Sequence, residues 1–108
     1  MQSSIIVRII FFFIFVLGIQ AYNTTLEGYF DSICHVYVTD CNRTVINDAG
    51  NKSCDDETVF IWDQAPELYC VHVYPITEPD DNRYRQANGN SCFYVHGNLL
   101  DGWSIDDC

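Results

Sequence analysis

Short stretches in which apolar residues alternate with polar ones predict β-strands along much of this chain. Asn-, Asp-, Gly- and Pro-rich clusters separate these stretches and are typical of turns. The best helix candidate runs from Asp40 to Ala49 with Gly50 as its stop, and a weaker one runs from Asn98 towards Trp103. We therefore expect a mainly β (α+β) fold, a small disulfide-stapled antiparallel sheet with one short helix. The predicted strands, rich in Val, Ile, Tyr, Phe and Trp, are Cys34–Thr39, Thr58–Trp62, Leu68–Ile76 and Cys92–His96.

Asn88-Gly89 predicts a β-hairpin, because both central positions of the tightest hairpin turns take positive φ. In the register that this turn implies, Tyr84 lies opposite Phe93 and Asp81 lies opposite His96. The second pair belongs to a face that gathers five residues with useful chemistry: Asp81, Arg83, Arg85, Tyr94 and His96.

The N-terminal segment has the features of a secretory signal peptide. Arg8 precedes an apolar run from Ile9 to Ile19, which is too short to span a hydrocarbon core of roughly 30 Å. Ala21 supplies a small residue at the expected cleavage site. We predict that residues 1–21 are removed and that residues 22–108 form a single secreted domain, with no membrane span after cleavage.

The predicted mature chain is strongly acidic. It keeps fifteen acidic residues against four cations, a formal charge of −11. Such a field repels nucleic acids and anionic membranes. We therefore expect no nucleic-acid partner unless the protein is a ribonuclease, the alternative weighed below.

All six cysteines lie in the predicted mature chain, and an even number in a short secreted domain predicts disulfides. There is no C-x-x-C pair of the kind that zinc sites use, and the sequence leaves the pairing open. Three N-x-S/T sequons predict glycosylation at Asn23, Asn42 and Asn51. The cysteines are Cys34, Cys41, Cys54, Cys70, Cys92 and Cys108.

The candidate catalytic residues are His96, Arg83, His72 and Glu78. Histidine suits general acid–base chemistry near neutral pH, and arginine stabilises developing phosphoryl charge. Solvated cross-strand pairs on a sheet face explain the same residues without catalysis. Strand parity does not unite the three histidines, and the acidic clusters lack the calcium-loop spacing, so we expect no metal and no cofactor.

From Asp40 onwards, the chain resembles the secreted necrosis-inducing effectors of plant-pathogenic fungi. The shared features are Asp40-Cys41, Trp62, Cys70 and the closing FYVHGNLLDGW from Phe93. The chain departs from that pattern in the extra His96, in additional cysteines and in the short spacing before Cys41. The resemblance implies a secreted protein that acts on host cells without a catalytic motif.

The tail is also similar in layout to the fungal guanyl-specific ribonucleases and their inactive effector relatives. Arg83, a turn, a strand ending in His96, a Gly and a terminal Cys follow in that order. Val73 stands where this resemblance calls for the catalytic Glu, which implies a fold without full activity.

We interpret the chain as a small, acidic, cysteine-rich glycoprotein that is secreted and binds another molecule outside the producing cell. An effector-like or toxin-like role without catalysis is the specific form of this hypothesis, with a protein or a glycan as the partner. The alternative is a ribonuclease-like phosphodiesterase with a His/Arg/Glu acid–base site. The sequence does not determine the oligomeric state.

Overall fold

The computed structural model describes residues 20–108, which form eight β-strands. The predicted signal peptide lies outside the described residues except for its last two positions. No membrane-spanning helix occurs among residues 20–108. The strands are β1 (Tyr22–Phe30), β2 (Ile33–Thr39), β3 (Val45–Ser53), β4 (Phe60–Ala65), β5 (Leu68–Pro75), β6 (Arg83–Asn88), β7 (Ser91–Asn98) and β8 (Gly102–Asp107).

The eight strands form two four-stranded sheets instead of the single sheet that we expected. The first sheet has the order β4-β1-β7-β8 and the second has the order β3-β2-β5-β6. Neighbours pair antiparallel except β1 and β7, which are parallel. The mainly β prediction is thus confirmed, and each of the four predicted strands overlaps an observed one (β2, β4, β5 and β7).

The predicted helix from Asp40 to Ala49 is wrong, because this segment is a turn followed by the start of β3. The Asp40 carboxylate accepts hydrogen bonds from the backbone amides of Asn42 (2.8 Å) and Thr44 (3.1 Å), which closes the turn. The chain then pairs with β2 through two irregularities in register. Gly50, the expected helix stop, has a φ of 78° beside one of them. A ten-residue helix without a packed apolar face is less stable than a strand that is hydrogen-bonded to a buried neighbouring strand.

The second helix candidate is a hairpin turn between β7 and β8. The Asn98 side chain accepts hydrogen bonds from the amides of Leu100 (3.0 Å) and Asp101 (2.6 Å). Asn98 also pairs with Gly102 across the strands. The described residues therefore contain no helix.

The predicted Asn88-Gly89 hairpin is also wrong, because this turn connects the two sheets. β6 pairs with β5 in the second sheet, whereas β7 pairs with β1 and β8 in the first. Gly89 does take a positive φ of 82°. The Tyr69 hydroxyl donates to the Gly89 carbonyl (2.7 Å) and also contacts Ser91 Oγ (2.7 Å), which fixes the crossing. Asp81 therefore does not lie opposite His96.

The two sheets share one apolar core. Alternate residues of β1, β2, β5, β7 and β8 are buried between the sheets, and their side chains belong to a single contiguous cluster. Major contributors are Leu26, Phe30, Phe93, Val95, Trp103 and Ile105 from the first sheet, and Val36, Val38, Tyr69, Val71 and Val73 from the second.

Three disulfides use all six cysteines, as predicted. Cys34–Cys54 is buried between β2 and the segment after β3. The other two disulfides each attach a segment outside the strands to a strand. Cys41–Cys70 joins the β2–β3 turn to β5, and Cys92–Cys108 joins β7 to the last residue of the chain.

Candidate functional site

A groove of about 580 Å³ opens on the outer face of the second sheet. Its floor comes from β2, β5 and β6, and the β2–β3 turn forms one wall. This volume falls in the range of small-molecule sites, roughly 300–1,000 Å³. The described residues that line it are Tyr37, Thr39, Cys41, Arg43, Val45, Cys70, His72, Tyr84 and Gln86.

Three aromatic rings form a row across the floor of the groove. Tyr37, His72 and Tyr84 lie directly opposite one another on three neighbouring strands. The Tyr37 and His72 ring centroids are 4.6 Å apart at 10°, and those of His72 and Tyr84 are 5.2 Å apart at 29°. Since the rings stack along the inter-strand direction, their edges point into the groove. Tyr84 ends the row on an edge strand and is 60% exposed.

The row originates in a His-Val-Tyr motif that occurs twice in the sequence. His35–Tyr37 lies on β2 and His72–Tyr74 on β5. The two strands are antiparallel, so each histidine is placed opposite the tyrosine of the other motif. His35 and Tyr74 accordingly stack at 5.2 Å and 9°. The central valine of each motif is fully buried. This duplication is the sequence signal for the floor that our motif analysis missed.

Hydrogen bonds hold the row in place. His72 Nε2 is 2.8 Å from Thr39 Oγ1, and the Asn82 side-chain amide donates to the Tyr37 hydroxyl at 2.6 Å. Burial lowers the pKa of the His72 imidazole and outweighs the opposing effect of Asn82. This shift favours the neutral imidazole at pH 7. The two hydrogen bonds also restrict the movement of the rings.

The wall of the groove is a constrained turn that carries a cation. Cys41 and Arg43 have φ values of 66° and 71°, in the left-handed region that disfavours side chains. The Cys41–Cys70 disulfide and the Asp40 hydrogen bonds hold this turn over the floor. Among residues 20–108, Arg43 forms no ion pair, and no groove-lining residue is acidic.

A shallower cavity of about 330 Å³ continues from the groove towards β3. It shares Tyr37 and Val45 with the groove and adds the second stacked pair, His35 and Tyr74. His35 Nε2 lies 2.8 Å from the Asp48 carboxylate, and its Nδ1 lies 2.9 Å from the side-chain oxygen of Asn51. Both ring nitrogens of His35 are thus occupied.

His96 lies on the outer face of the first sheet, on the opposite side of the molecule from His72. Its Nε2 is 2.5 Å from the Asp106 carboxylate and 2.9 Å from Ser104 Oγ. A catalytic triad needs Ser and Asp on different ring nitrogens, with Ser hydrogen-bonded to the unprotonated one. Here Nε2 of His96 contacts both Asp106 and Ser104. When Nε2 carries a proton and donates it to Asp106 in a hydrogen bond, it has no lone pair left to accept the Ser104 proton. The hydrogen bond from His96 lowers the pKa of Asp106.

Arg83 joins the two sheets at their edge and does not meet either histidine. Its Nε donates to Asp81 (2.9 Å), its guanidinium lies 4.6 Å from the centre of the Trp103 ring, and it also donates to the Trp103 carbonyl. Glu78 is exposed in the β5–β6 connection. The four candidate catalytic residues therefore share no cleft, and only His72 contributes to the groove.

The three histidines do not converge as metal ligands. One close group of possible ligand atoms occurs among residues 20–108, formed by Glu27, Cys92 and Cys108. The two cysteines are joined in a disulfide, so their sulfurs are not thiolates. This group does not fit a metal ion.

Comparisons with known proteins add no relative. The chain matches no protein-family model, and no curated protein or solved structure is significantly similar to it. The two resemblances stated above stay predictions, and the groove is interpreted from its own geometry.

Proposed function

We propose that this protein is a non-catalytic, extracellular binding protein whose ligand site is the groove on the second sheet. The observation that carries this proposal is the rigid row of Tyr37, His72 and Tyr84 beneath the Arg43 turn. A site whose side chains are already fixed loses little conformational entropy when a ligand binds. Aromatic residues and arginine are also the residue types that contribute most to binding energy.

The residues that line the groove are suited to binding a ligand more than to acid–base catalysis. His72, the one imidazole among the described lining residues, is hydrogen-bonded to Thr39 and has a lowered pKa. No carboxylate among the described lining residues stands beside it as an acid or base. The histidine with a carboxylate partner and a nearby hydroxyl, His96, lies on the other face of the molecule.

Extracellular action is supported by the three disulfides, because such bridges persist in oxidising compartments. The three sequon asparagines, Asn23, Asn42 and Asn51, are exposed, which suits the predicted glycosylation. Action on host cells is a narrower form of the proposal and rests on the sequence resemblance to secreted effectors.

The test is a binding screen with protein secreted by eukaryotic cells that express the full chain. Arrays of glycans and peptides serve as probes, and every positive probe is remeasured with Tyr84→Ala. We expect this variant to weaken binding about ten-fold or more, which corresponds to the loss of an aromatic contact worth roughly 1.4 kcal/mol.

Tyr29→Ala is the matched control. Tyr29 is 56% exposed, close to the 60% of Tyr84, but lies on the first sheet. The control should leave binding unchanged. Absence of any positive probe, or equal binding by wild type and Tyr84→Ala, would overturn the proposal. RNA cleavage that is lost in His96→Ala would instead support the ribonuclease-like alternative.

A further inference from the structure

The distribution of cations makes the groove exceptional in this acidic chain. Residues 20–108 contain four Arg and Lys side chains. Arg83 pairs with Asp81 at 2.9 Å, and Arg85 pairs with Asp107 at 3.5 Å. Arg43 and Lys52 form no ion pair among the described residues, and of these two only Arg43 lines the groove. An unpaired cation amid fifteen acidic residues leaves its charge available to a ligand.

The backbone of Arg43 is also held in its conformation at an energetic cost. Its φ of 71° costs about 1–2 kcal/mol in a residue with a side chain. The Asp40 carboxylate, three positions earlier in the chain, already accepts two backbone hydrogen bonds within the turn. Strained backbone of this kind persists where the surroundings fix it and is common at ligand sites.

The floor favours ligand oxygen atoms. The edges of aromatic rings carry partial positive charge, and in this row stacking covers both faces of His72 and one face of Tyr37. Gln86 adds an amide on the same side of the sheet. The outer face of Tyr84, roughly 10 Å from Tyr37 by two inter-strand spacings, is open to an apolar ring face.

From these observations, which presuppose the proposed function, we infer that the groove binds a short glycan carrying a single carboxylate. The guanidinium of Arg43 receives the carboxylate of a uronic or sialic acid unit, and the Tyr84 ring supports a sugar ring. A guanidinium matches a carboxylate with two parallel hydrogen bonds.

A heavily sulfated polymer or a peptide fits the groove less well. One cation does not offset many anionic groups against the acidic field of this chain. A peptide main chain bound to a sheet needs free backbone partners. The central floor strands, β2 and β5, are hydrogen-bonded on both sides within the sheet.

The test compares methyl glucuronide and methyl N-acetylneuraminate with neutral methyl glucoside, by NMR titration of the full secreted protein. We expect at least one acidic sugar to bind ten-fold or more tightly than the neutral one. Arg43→Gln should remove this preference, and Arg43→Lys should restore only part of it because the guanidinium fork is lost.

Lys52→Gln is the control, since it changes the net charge equally at a residue outside the groove. Both positions are the central residue of a sequon, so Arg43→Gln and Lys52→Gln leave Asn42-x-Thr44 and Asn51-x-Ser53 intact. The control should keep the full preference for the acidic sugar.

Three results would overturn the inference. The first is that acidic and neutral sugars bind equally well. The second is that Arg43→Gln and Lys52→Gln lose the preference for the acidic sugar to the same extent. The third is that the protein binds an acetylated tripeptide with a free C-terminal carboxylate more tightly than the corresponding amide. If probes bind in a Tyr84-dependent way without preferring carboxylates, this inference fails and the proposed function stands. If no probe binds in a Tyr84-dependent way, both fail.

Discussion

Gly28 lies in the C-terminal half of β1, where the segment after β3 crosses closely above the strand. Its amide donates to the Asp56 carbonyl at 2.9 Å. A Cβ at this position would lie 2.0 Å from the Cys54 carbonyl oxygen and 2.6 Å from Val59 Cγ2. Both the crossing backbone and the buried disulfide at Cys54 would have to move to make room. Glycine is therefore required here by space and not by an unusual φ.

We expect Gly28→Ala to destabilise the protein by about 3 kcal/mol, the upper part of the range for overpacking a core. The urea midpoint of unfolding measures this loss. Gly50→Ala is the control, because Gly50 has open space around its missing Cβ and a φ of 78°. It should cost only about 1 kcal/mol. Equal losses in the two variants would show that the close crossing is relaxed in solution.

At the scale of single residues, part of the candidate site could be predicted from the sequence. The His-Val-Tyr alternation predicts a strand with His and Tyr on one face, which is correct for both copies. Which histidine meets which aromatic residue depends on the β2–β5 register, and strand alternation alone does not determine register. The position of Arg43 at the groove was not predictable, because no rule from sequence places a non-glycine residue at positive φ in this turn.

The elements β6 and β8 belong to different sheets and are joined by a cluster of Asp81, Arg83 and Trp103. Trp103 Nε1 donates to the Asp81 carboxylate at 2.8 Å, and Arg83 donates to its other oxygen at 2.9 Å. These hydrogen bonds lower the pKa of Asp81, with that from Arg83 contributing most. Arg85 and Asp107 form a second, exposed pair between the same strands. The open edge of the sandwich is thus closed by polar contacts.

Because of this cluster, we expect the free energy of unfolding to decrease at acidic pH. Since the native pKa of Asp81 is below the unfolded value, about 3.9, the stabilisation is complete above that value. It is lost as the pH falls through the native pKa. We expect Asp81→Asn to lower the free energy of unfolding at pH 7 by about 1 kcal/mol and to flatten its decline below pH 4. Urea unfolding at several pH values measures both effects.

Asp80→Asn removes a neighbouring, exposed carboxylate and should change neither quantity. If Asp81→Asn keeps the wild-type decline below pH 4, then another group is responsible for it.

Prediction from sequence failed most clearly for connections between elements. Asn88-Gly89 has the composition of a hairpin turn, and Gly89 has the expected positive φ. However, Ala87 and Phe93 are both buried in the core, and they enter it from opposite sheets. Burial on both sides of such a turn depends on long-range packing, which local turn preferences do not encode. The Asp40–Ala49 helix failed similarly, because pairing with β2 outweighed local propensity.

At the scale of the whole molecule, a small core is supplemented by three disulfides with different relations to the groove. Cys41–Cys70 lines the groove and closes a separation of 29 residues. Cys92–Cys108 closes 16 residues in the first sheet, away from the groove. Bridges of this kind each contribute about 2–4 kcal/mol.

We expect removal of either bridge by paired Cys→Ser changes to lower the free energy of unfolding by about 3 kcal/mol. Only loss of Cys41–Cys70 should also weaken binding in the groove, because it frees the turn that holds Arg43. Urea unfolding and titration with whichever array probe binds best measure the two effects. Equal losses of binding in both variants would mean that global stability, and not the turn, controls the site.

The parallel pairing of β1 with β7 also has a consequence for how the chain reaches its native state. Thr24 pairs with Ser91 and Phe30 with Gly97, contacts that span more than sixty positions along the chain. All four strands of the second sheet precede β7 in the chain, whereas β1 gains its second neighbour only when β7 has been synthesised. Non-local pairings of this kind slow folding, because the loop must close before the contacts stabilise it. Of the described strands, β1 is the first to be synthesised and is among the last to gain both neighbours, and until then its edge is open to other chains.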